Sequence, residues 1–466
     1  MKNLIAIVLI LIAGNKGLSQ DSLAYYMDIA AKENPLILQK YYEYEASLQK
    51  VPQAAAIPDP ELNAGIFLTP MELVMGNQVA ELQLMQMFPW FGTLRAAKDE
   101  MSLMANAAYE SFRDTKLQVL YDLQTTWYEL IRIEQEKLIA RKNLEILYSI
   151  ERLARVRFIS GSSNGPSPLP GDRRTPPDES SGQSGMPGMQ GDSPDNTGNR
   201  KSTPSSGMQE SSMGNSGSST GLADIYNIQI EISDIKNNVA LLENRQKSVT
   251  ARFNAFFNRP ALESVFMPDT LVVDTLLKPD IPIPDSLIRN NPMLAMQNYE
   301  TQSIQARKKM VTRMGFPMVG IGLNYSIINR NEMSVSENGR DMIMPMLSLT
   351  LPIYRKKYKA MKAEADLLSK ASENQGQMIY NDLSSQYFQA IQQYEDALRR
   401  IRLYSDQTSL TRKSLNIMIK DFTTAGSGLT EILRLQQQLL NYDYRHIEAI
   451  TDFHIAIALL KRISGN

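Results

Sequence analysis

The sequence predicts a mixed α and β fold, mainly α, in which a helix, a β-hairpin and a very long helix occur in order and then occur again. Three observations predict it. The two halves of the 466-residue chain repeat each other's landmarks. Four short segments alternate with period two, whereas the long stretches carry apolar residues with period 3.5. Finally, the apolar run Leu4–Ala13 is too short to cross a bilayer, and no later stretch offers 18 uninterrupted apolar residues.

The duplication sets the domain organisation. Asn34-Pro35 recurs as Asn291-Pro292, and Pro60 to Ile66 aligns with Pro317 to Leu323 at the same offset of 257. Met87-Phe88-Pro89-Trp90-Phe91 parallels Thr350-Leu351-Pro352-Ile353-Tyr354 at an offset of 263, so the second copy has a loop six residues longer between its strands. Trp127-Tyr128 and Tyr387-Phe388 then correspond within helical stretches. The expected boundaries are a leader at 1–19, a first repeat at 20–258, a connector at 259–291 and a second repeat at 292–466. Lys2, the apolar run and the small residues Gly17 and Ser19 before Gln20 make up the leader, which reads as a secretory signal. Prolines at 260, 268, 279, 282 and 284 stud the connector.

Strands are expected at about 61–69, 79–88, 318–328 and 342–351. Val319, Ile321, Leu323, Tyr325 and Ile327 alternate with Gly320, Gly322, Asn324 and Ser326, giving one apolar and one small polar face. Ile343, Leu347, Leu349 and Leu351 alternate with Met342, Met344, Met346, Ser348 and Thr350, although Pro345 within the run is unfavourable to continuous pairing. In the first half, Leu62, Ala64, Ile66 and Leu68, then Leu82 and Leu84, oppose Gln83, Met85 and Met87.

The helices follow heptads. Leu383, Tyr387, Ala390, Tyr394, Ala397, Ile401, Tyr404, Thr408, Thr411, Leu415 and Met418 form one seam. Leu117, Leu120, Trp127, Ile131 and Leu138 form a second, interrupted by Gln124 and Glu134. A helix from Leu94 to Phe158 would be about 100 Å long, so the molecule must be elongated. The shorter helices near 36–56 and 222–258 together match that length and are expected to stack end to end beside it.

Composition removes several functions. With 49 basic and 50 acidic side chains the chain lacks the cationic excess that nucleic acid demands. The absence of cysteine excludes disulfides, thiolate metal sites, Cys nucleophiles and an acylated N-terminal Cys. Only two histidines occur, His446 and His454, eight apart on the last helix with no third ligand to complete a metal site. There is no Gly-x-Ser-x-Gly or phosphate loop, so a hydrolytic enzyme is disfavoured and no cofactor is expected.

Four strands cannot close a barrel, and open edges are not tolerated in lipid. Several copies must share one. Three would give twelve strands, an even number of the kind bacterial outer-membrane barrels use, apolar outside and polar inside.

The duplicated helix–hairpin–helix order, Pro58-Asp59-Pro60-Glu61-Leu62 leading into the first strand and Phe88-Pro89-Trp90-Phe91-Gly92 leaving the second together resemble the TolC-type outer-membrane efflux family. The similarity covers the mature chain except one insertion, and the last motif is most similar to the heavy-metal branch of CusC and CzcC relatives. The resemblance implies a homotrimer with an outer-membrane β-barrel continued by a periplasmic α-helical barrel. It also implies docking onto a periplasmic adaptor and an inner-membrane pump of the RND type. Surrounding lipid and passively conducted cargo, including copper, silver or other metal cations, follow from the same resemblance.

Candidate functional residues fall in three places. At the second tip, Gly426 and Gly428 break the helix before Glu431, and Gly221-Leu222-Ala223-Asp224-Ile225 matches that turn in the first copy. Glu431 and Asp224 align with acidic residues that line or latch the entrance in the resembled family; three-fold symmetry would make each a ring of carboxylates. An acid there also complements the helix dipole. The family's second acid is Arg434 here, and Ser427 stands where a latching arginine is expected.

Residues 161–221 hold 12 Gly, 15 Ser and 8 Pro with no aromatic, Val or Ile, and are expected to be a disordered insertion in the first tip. Met186, Met189, Met208 and Met213 within it are candidate soft ligands for Cu(I) or Ag(I). Met85, Met87, Met342, Met344 and Met346 are expected to line the barrel lumen, where methionine is also a good filler of irregular space. An efflux channel for metals or for drugs accounts for the repeat, leader, strands and helices together. A periplasmic adaptor or scaffold accounts only for the helices.

Overall fold

The computed structural model describes residues 22–162, 219–268, 289–332, 336, 338–424 and 428–465. The leader, the methionines of the tip insertion, most of the connector and Gly426 lie outside the described residues. The first repeat contains α1 (Ser22–Glu33), α2 (Pro35–Ala55), β1 (Glu61–Leu73), β2 (Gly76–Phe88), α3 (Thr93–Ser162) and α4 (Ser219–Ala255). The second contains α5 (Pro292–Met314), β3 (Met318–Asn329), β4 (Met342–Thr350), α6 (Arg355–Thr424) and α7 (Leu429–Ser464).

Each long helix, α3 and α6, has 70 residues, which at the α-helical rise is about 105 Å. Helices α2 and α4 both pack along α3, and α5 and α7 both pack along α6, while α5 and α7 also touch α3. The repeated Asn-Pro explains the stacking. Asn34 caps α2, its Oδ1 accepting from the amides of Leu36 and Ile37, while its Nδ2 donates to Phe256 O just past the end of α4 at 3.0 Å. Asn291 caps α5 through the Met293 amide and donates to Ile463 O near the end of α7 at 3.0 Å. Proline at the first helical position loses nothing, because that amide has no intrahelical partner. One asparagine therefore starts one short helix and ties it to the end of the other.

Buried apolar clusters hold the helices, the two largest among the described residues at the tip and around Trp127. At the tip, Leu147, Ile150, Ile225, Ile228, Leu415 and Ile432 join α3, α4, α6 and α7. Farther up, Tyr26 of α1 packs on Trp127, Phe253 and Phe257. The α6 seam is buried at Leu383, Tyr387, Ala390, Tyr394, Ala397 and Leu415. The α3 seam departs from expectation: Leu138 is exposed, whereas Leu123, Leu130, Ile133 and Ala140 are buried. The reason is that α3 contacts helices on more than one flank, and polar Lys137 and Asn143 occupy buried positions between its apolar ones. Lys137 is satisfied there by Glu134 and Gln246, each at 2.7 Å.

The four strands form one antiparallel sheet in the order β1-β2-β3-β4. The ladder between β3 and β4 runs unbroken through Leu323 opposite Pro345, so the proline does not interrupt the expected strand. Within the chain β4 is an edge strand, and an edge is where proline fits a ladder. Beyond the strands, the Gly339 amide donates to Met75 O at 2.9 Å and Asn331 Nδ2 to Leu73 O at 3.0 Å, fastening the longer loop of the second copy over the turn of the first.

Candidate functional site

At the tip, four helix ends converge on buried Ile225, Phe422, Leu429 and Ile432. Glu431 lies in the first turn of α7, directed away from this core, and Arg434 Nε donates to its Oε2 at 2.9 Å. That guanidinium holds the Glu431 carboxyl below the ordinary carboxylate range. The departure noted at Arg434 is thus a direct ion pair, which leaves little net charge at this position. Asp224, the aligned acid on α4, is half-buried and differently treated. Burial pushes its carboxyl up, and the Arg157 charge pulls it back.

Gly428 caps α7 with φ −76° and ψ 144°, and a Cβ added there would meet nothing within 4 Å. Any residue adopts that backbone, so the helix break at this position does not depend on glycine.

Arg157 was not singled out by the sequence. Its guanidinium lies 4.6 Å over the Phe422 ring and Nη1 donates to Phe422 O at 3.4 Å, joining the end of α3 to the end of α6. A basic residue in the last turns of the first long helix, before the glycine-rich insertion, was the available signal. The sequence looked for such a clamp at Ser427, across the other loop, and that residue lies outside the described residues.

The register of the sheet sorts its side chains. Directly opposed residues share a face. Glu61, Met85, Gly322 and Met346 form one row, Asn63, Gln83, Asn324 and Met344 the next, and Gly65, Glu81, Ser326 and Met342 a third; Met87 stands with Gly320 and Ser348. Met85, Met87, Met342, Met344 and Met346 therefore all lie on the polar face. Asn324 and Ser326 are buried within it: Asn324 Nδ2 donates to Glu81 Oε1, and Gln78 Nε2 to Ser326 Oγ. A Cβ on Gly320 would stand within 3.3 Å of the sulfurs of both Met85 and Met87, so two thioethers converge over a glycine hollow.

The opposite face is apolar and bare. Leu62, Ile66, Ile321, Leu323, Leu347 and Leu349 are each 46–80% exposed. A water-soluble sheet buries such a face, and this one buries its polar side instead. Strand β1 is solvent-exposed on both faces along most of its 13 residues.

His454 stacks on Tyr128 with centroids 4.9 Å apart, and His446 lies beside Asp443, with burial lowering its pKa and that carboxylate raising it. Among the described residues no cluster of three His, Cys, Asp or Glu side chains is arranged to hold a metal ion, and no helix is long and apolar enough to cross a membrane.

No family model and no curated protein matches the sequence. Solved structures do match. The outer-membrane channel OprN superposes with a TM-score of 0.71 at 12% identity, over 96% of this chain and 90% of that one. The outer membrane protein VceC from Vibrio cholerae gives 0.70 at 11%, over 95% and 96%. CusC, described in terms of transmembrane channel formation, gives 0.69 at 10%, over 96% and 93%. CusC is no nearer than the other two, so the likeness does not select a heavy-metal branch. At these identities the likeness concerns fold, and the chain has the fold of these outer-membrane channels along nearly its whole length.

Proposed function

We propose that three copies of this chain form an outer-membrane export channel, a twelve-stranded barrel continued into the periplasm by a duct of α3, α4, α6 and α7 with their symmetry mates. The observation that carries this reading is the inverted sheet. Its apolar face is exposed, its polar face holds a hydrogen-bonded network, and β1 and β4 are edges. Lipid is the solvent that suits the first, a water-filled lumen suits the second, and neighbouring copies remove the third. A periplasmic adaptor or scaffold would have no use for such a sheet.

In this reading the tip is the periplasmic entrance, closed in part by Arg157 on Phe422 and bordered by Asp224, Glu431, Gly426 and Gly428. A periplasmic adaptor and an RND-type inner-membrane pump would deliver cargo there, and the channel itself would be passive. For cargo we favour Cu(I) or Ag(I) over drugs, because the Met85 and Met87 thioethers converge on a face that also carries Met342, Met344 and Met346. The tip methionines Met186, Met189, Met208 and Met213 would offer the same soft donors at the entrance.

Fractionation tests the first part: the chain should stay in the outer membrane through high-salt and carbonate washing, and release into the soluble fraction would defeat it. A deletion strain tests the cargo. It should become sensitive to copper and silver salts, and sensitivity to drugs alone would assign the channel to drug export.

A further inference from the structure

The two copies differ sharply where the sheet meets the long helices. From Pro89 to Glu100 the first copy carries Arg95 and Lys98 balanced by Asp99 and Glu100. The matching window of the second copy, Pro352 to Ala363, carries Arg355, Lys356, Lys357, Lys359 and Lys362 with no acid at all. These cations occupy the first two turns of α6. Positive charge is disfavoured at a helix N-terminus by the dipole and by mutual repulsion. None of the five makes an ion pair among the described residues, and the first acids downstream, Glu364 and Asp366, are held by Arg307 and Lys308 of α5. A local arrangement that opposes helix stability and has no partner among the described residues calls for an external one.

The neighbours of the cluster indicate what that partner is. The apolar face of β4 continues past the end of the strand as Leu351 and Ile353, 56% and 76% exposed, followed by Tyr354 at 86%. In the first copy Phe91 is 84% exposed at the aligned position. On the helical wheel Lys356 falls opposite Ala365, the residue that this stretch of α6 buries at 2% exposure, and Lys359 falls about 120° from it. The order along the molecule is thus bare aliphatic face, aromatic residue, unpaired cations. That is the order of hydrocarbon, interface and headgroup across one leaflet.

We propose that Arg355, Lys356, Lys357, Lys359 and Lys362 form a collar that binds the headgroups of anionic phospholipids in the leaflet on the helical side of the sheet. The collar would fix the depth of the barrel in the membrane, in a chain that has no cysteine to carry an acyl anchor. This inference rests on the membrane reading above. A polybasic cluster beside an inserted apolar surface attracts anionic lipid within about a Debye length, so binding should weaken as salt rises.

The test uses the full chain extracted in detergent and mixed with phosphatidylglycerol or phosphatidylcholine, with bound lipid counted by native mass spectrometry. The parent should retain phosphatidylglycerol at least tenfold more strongly than phosphatidylcholine. Changing the five cations to Gln should abolish the preference with oligomer mass unchanged, whereas Arg95→Gln with Lys98→Gln should preserve it. Equal retention of both lipids by the parent, or an undiminished preference in the five-residue variant, overturns the collar. A change in ion selectivity of the conducting channel without a change in lipid retention would assign these cations to the duct and also overturn it. If the chain is instead recovered only as a soluble protein, the membrane reading fails and the collar with it.

Discussion

The two tips of the molecule are built from the same parts and finish them differently. Aligning Leu222-Ala223-Asp224-Ile225 with Leu429-Thr430-Glu431-Ile432 brings Gln229 opposite Gln436. Gln229 is partly exposed and donates to Glu151 Oε1 at 3.1 Å. Gln436 is 2% exposed, and among the described residues neither its amide oxygen nor its nitrogen has a protein partner; the buried Oδ1 of Asn143 likewise has none. Both border a cavity of about 10 Å³, room for one water. At the offset that relates Trp127 to Tyr387, the counterpart of Glu151 is Thr411, so the carboxylate that satisfies the first glutamine is missing from the second copy. The acids differ in the same way, Glu431 exposed and ion-paired, Asp224 half-buried. Duplication has kept the residues that set the helix geometry while the polar contacts have diverged. Identical letters at aligned positions therefore carry opposite energies.

The largest effect is expected where the copies agree. Asn291→Ala removes a helix cap and a buried bond to Ile463 O, and should cost about 2 kcal/mol. Asn34→Ala should cost slightly less, because its bond to Phe256 O is only partly buried. Urea unfolding of the extracted protein measures both, and a neutral Asn291→Ala would deny the asparagine its role in stacking the short helices.

The glutamines sharpen the comparison by sign. Gln436→Leu should stabilise by up to about 1 kcal/mol through removal of a buried amide that has no protein partner, whereas Gln229→Leu should destabilise by a similar amount or less. Melting temperatures moving in the same direction would break the contrast.

Histidine titration belongs to one copy only, since both histidines are on α7. Burial lowers the pKa of His446, and the Asp443 carboxylate opposes it. A depressed histidine pKa means that the unfolded chain binds the proton more readily, so stability is lost as pH falls from the unfolded value near 6.5 through the folded one. Asp443, raised by burial with Arg412, Thr408, His446 and Lys142 acting against it, contributes the opposite slope. His446→Gln should therefore reduce the fall in melting temperature between pH 7 and pH 5. An unchanged slope would mean that this histidine titrates alike in both states.

The smallest effect is at Glu431. Because Arg434 already neutralises it, Arg434→Gln should expose an acidic ring and raise cation preference in bilayer conductance, whereas Glu431→Gln should shift preference modestly toward anions. Identical selectivity in both variants would remove these residues from the conduction path.

The fold was legible because its signals are periodic and occur twice. The Asn-Pro pairs, the period-two strands and the α6 seam were readable residue by residue. The α3 seam was only partly readable, because a helix with neighbours on several flanks buries more than one stripe and can hide Lys137 when Glu134 and Gln246 satisfy it. The shared face of the five candidate methionines followed from alternation, but the convergence of Met85 and Met87 over Gly320 needed the cross-strand register. Arg157 was missed because its partner, Phe422, is 265 residues away, and nothing local in the sequence announces such a pair.

In the proposed trimer β1 of one copy pairs with β4 of the next. The chain has no native cysteine, so introduced ones report without background. One cysteine in β1 at Asn63 should be combined with a panel of single cysteines from Met346 to Thr350 in β4, oxidised in the membrane and separated under denaturing conditions. At one or two panel positions the account predicts covalent dimers and trimers and nothing larger. Monomers across the whole panel, or a ladder running past three chains, would contradict it.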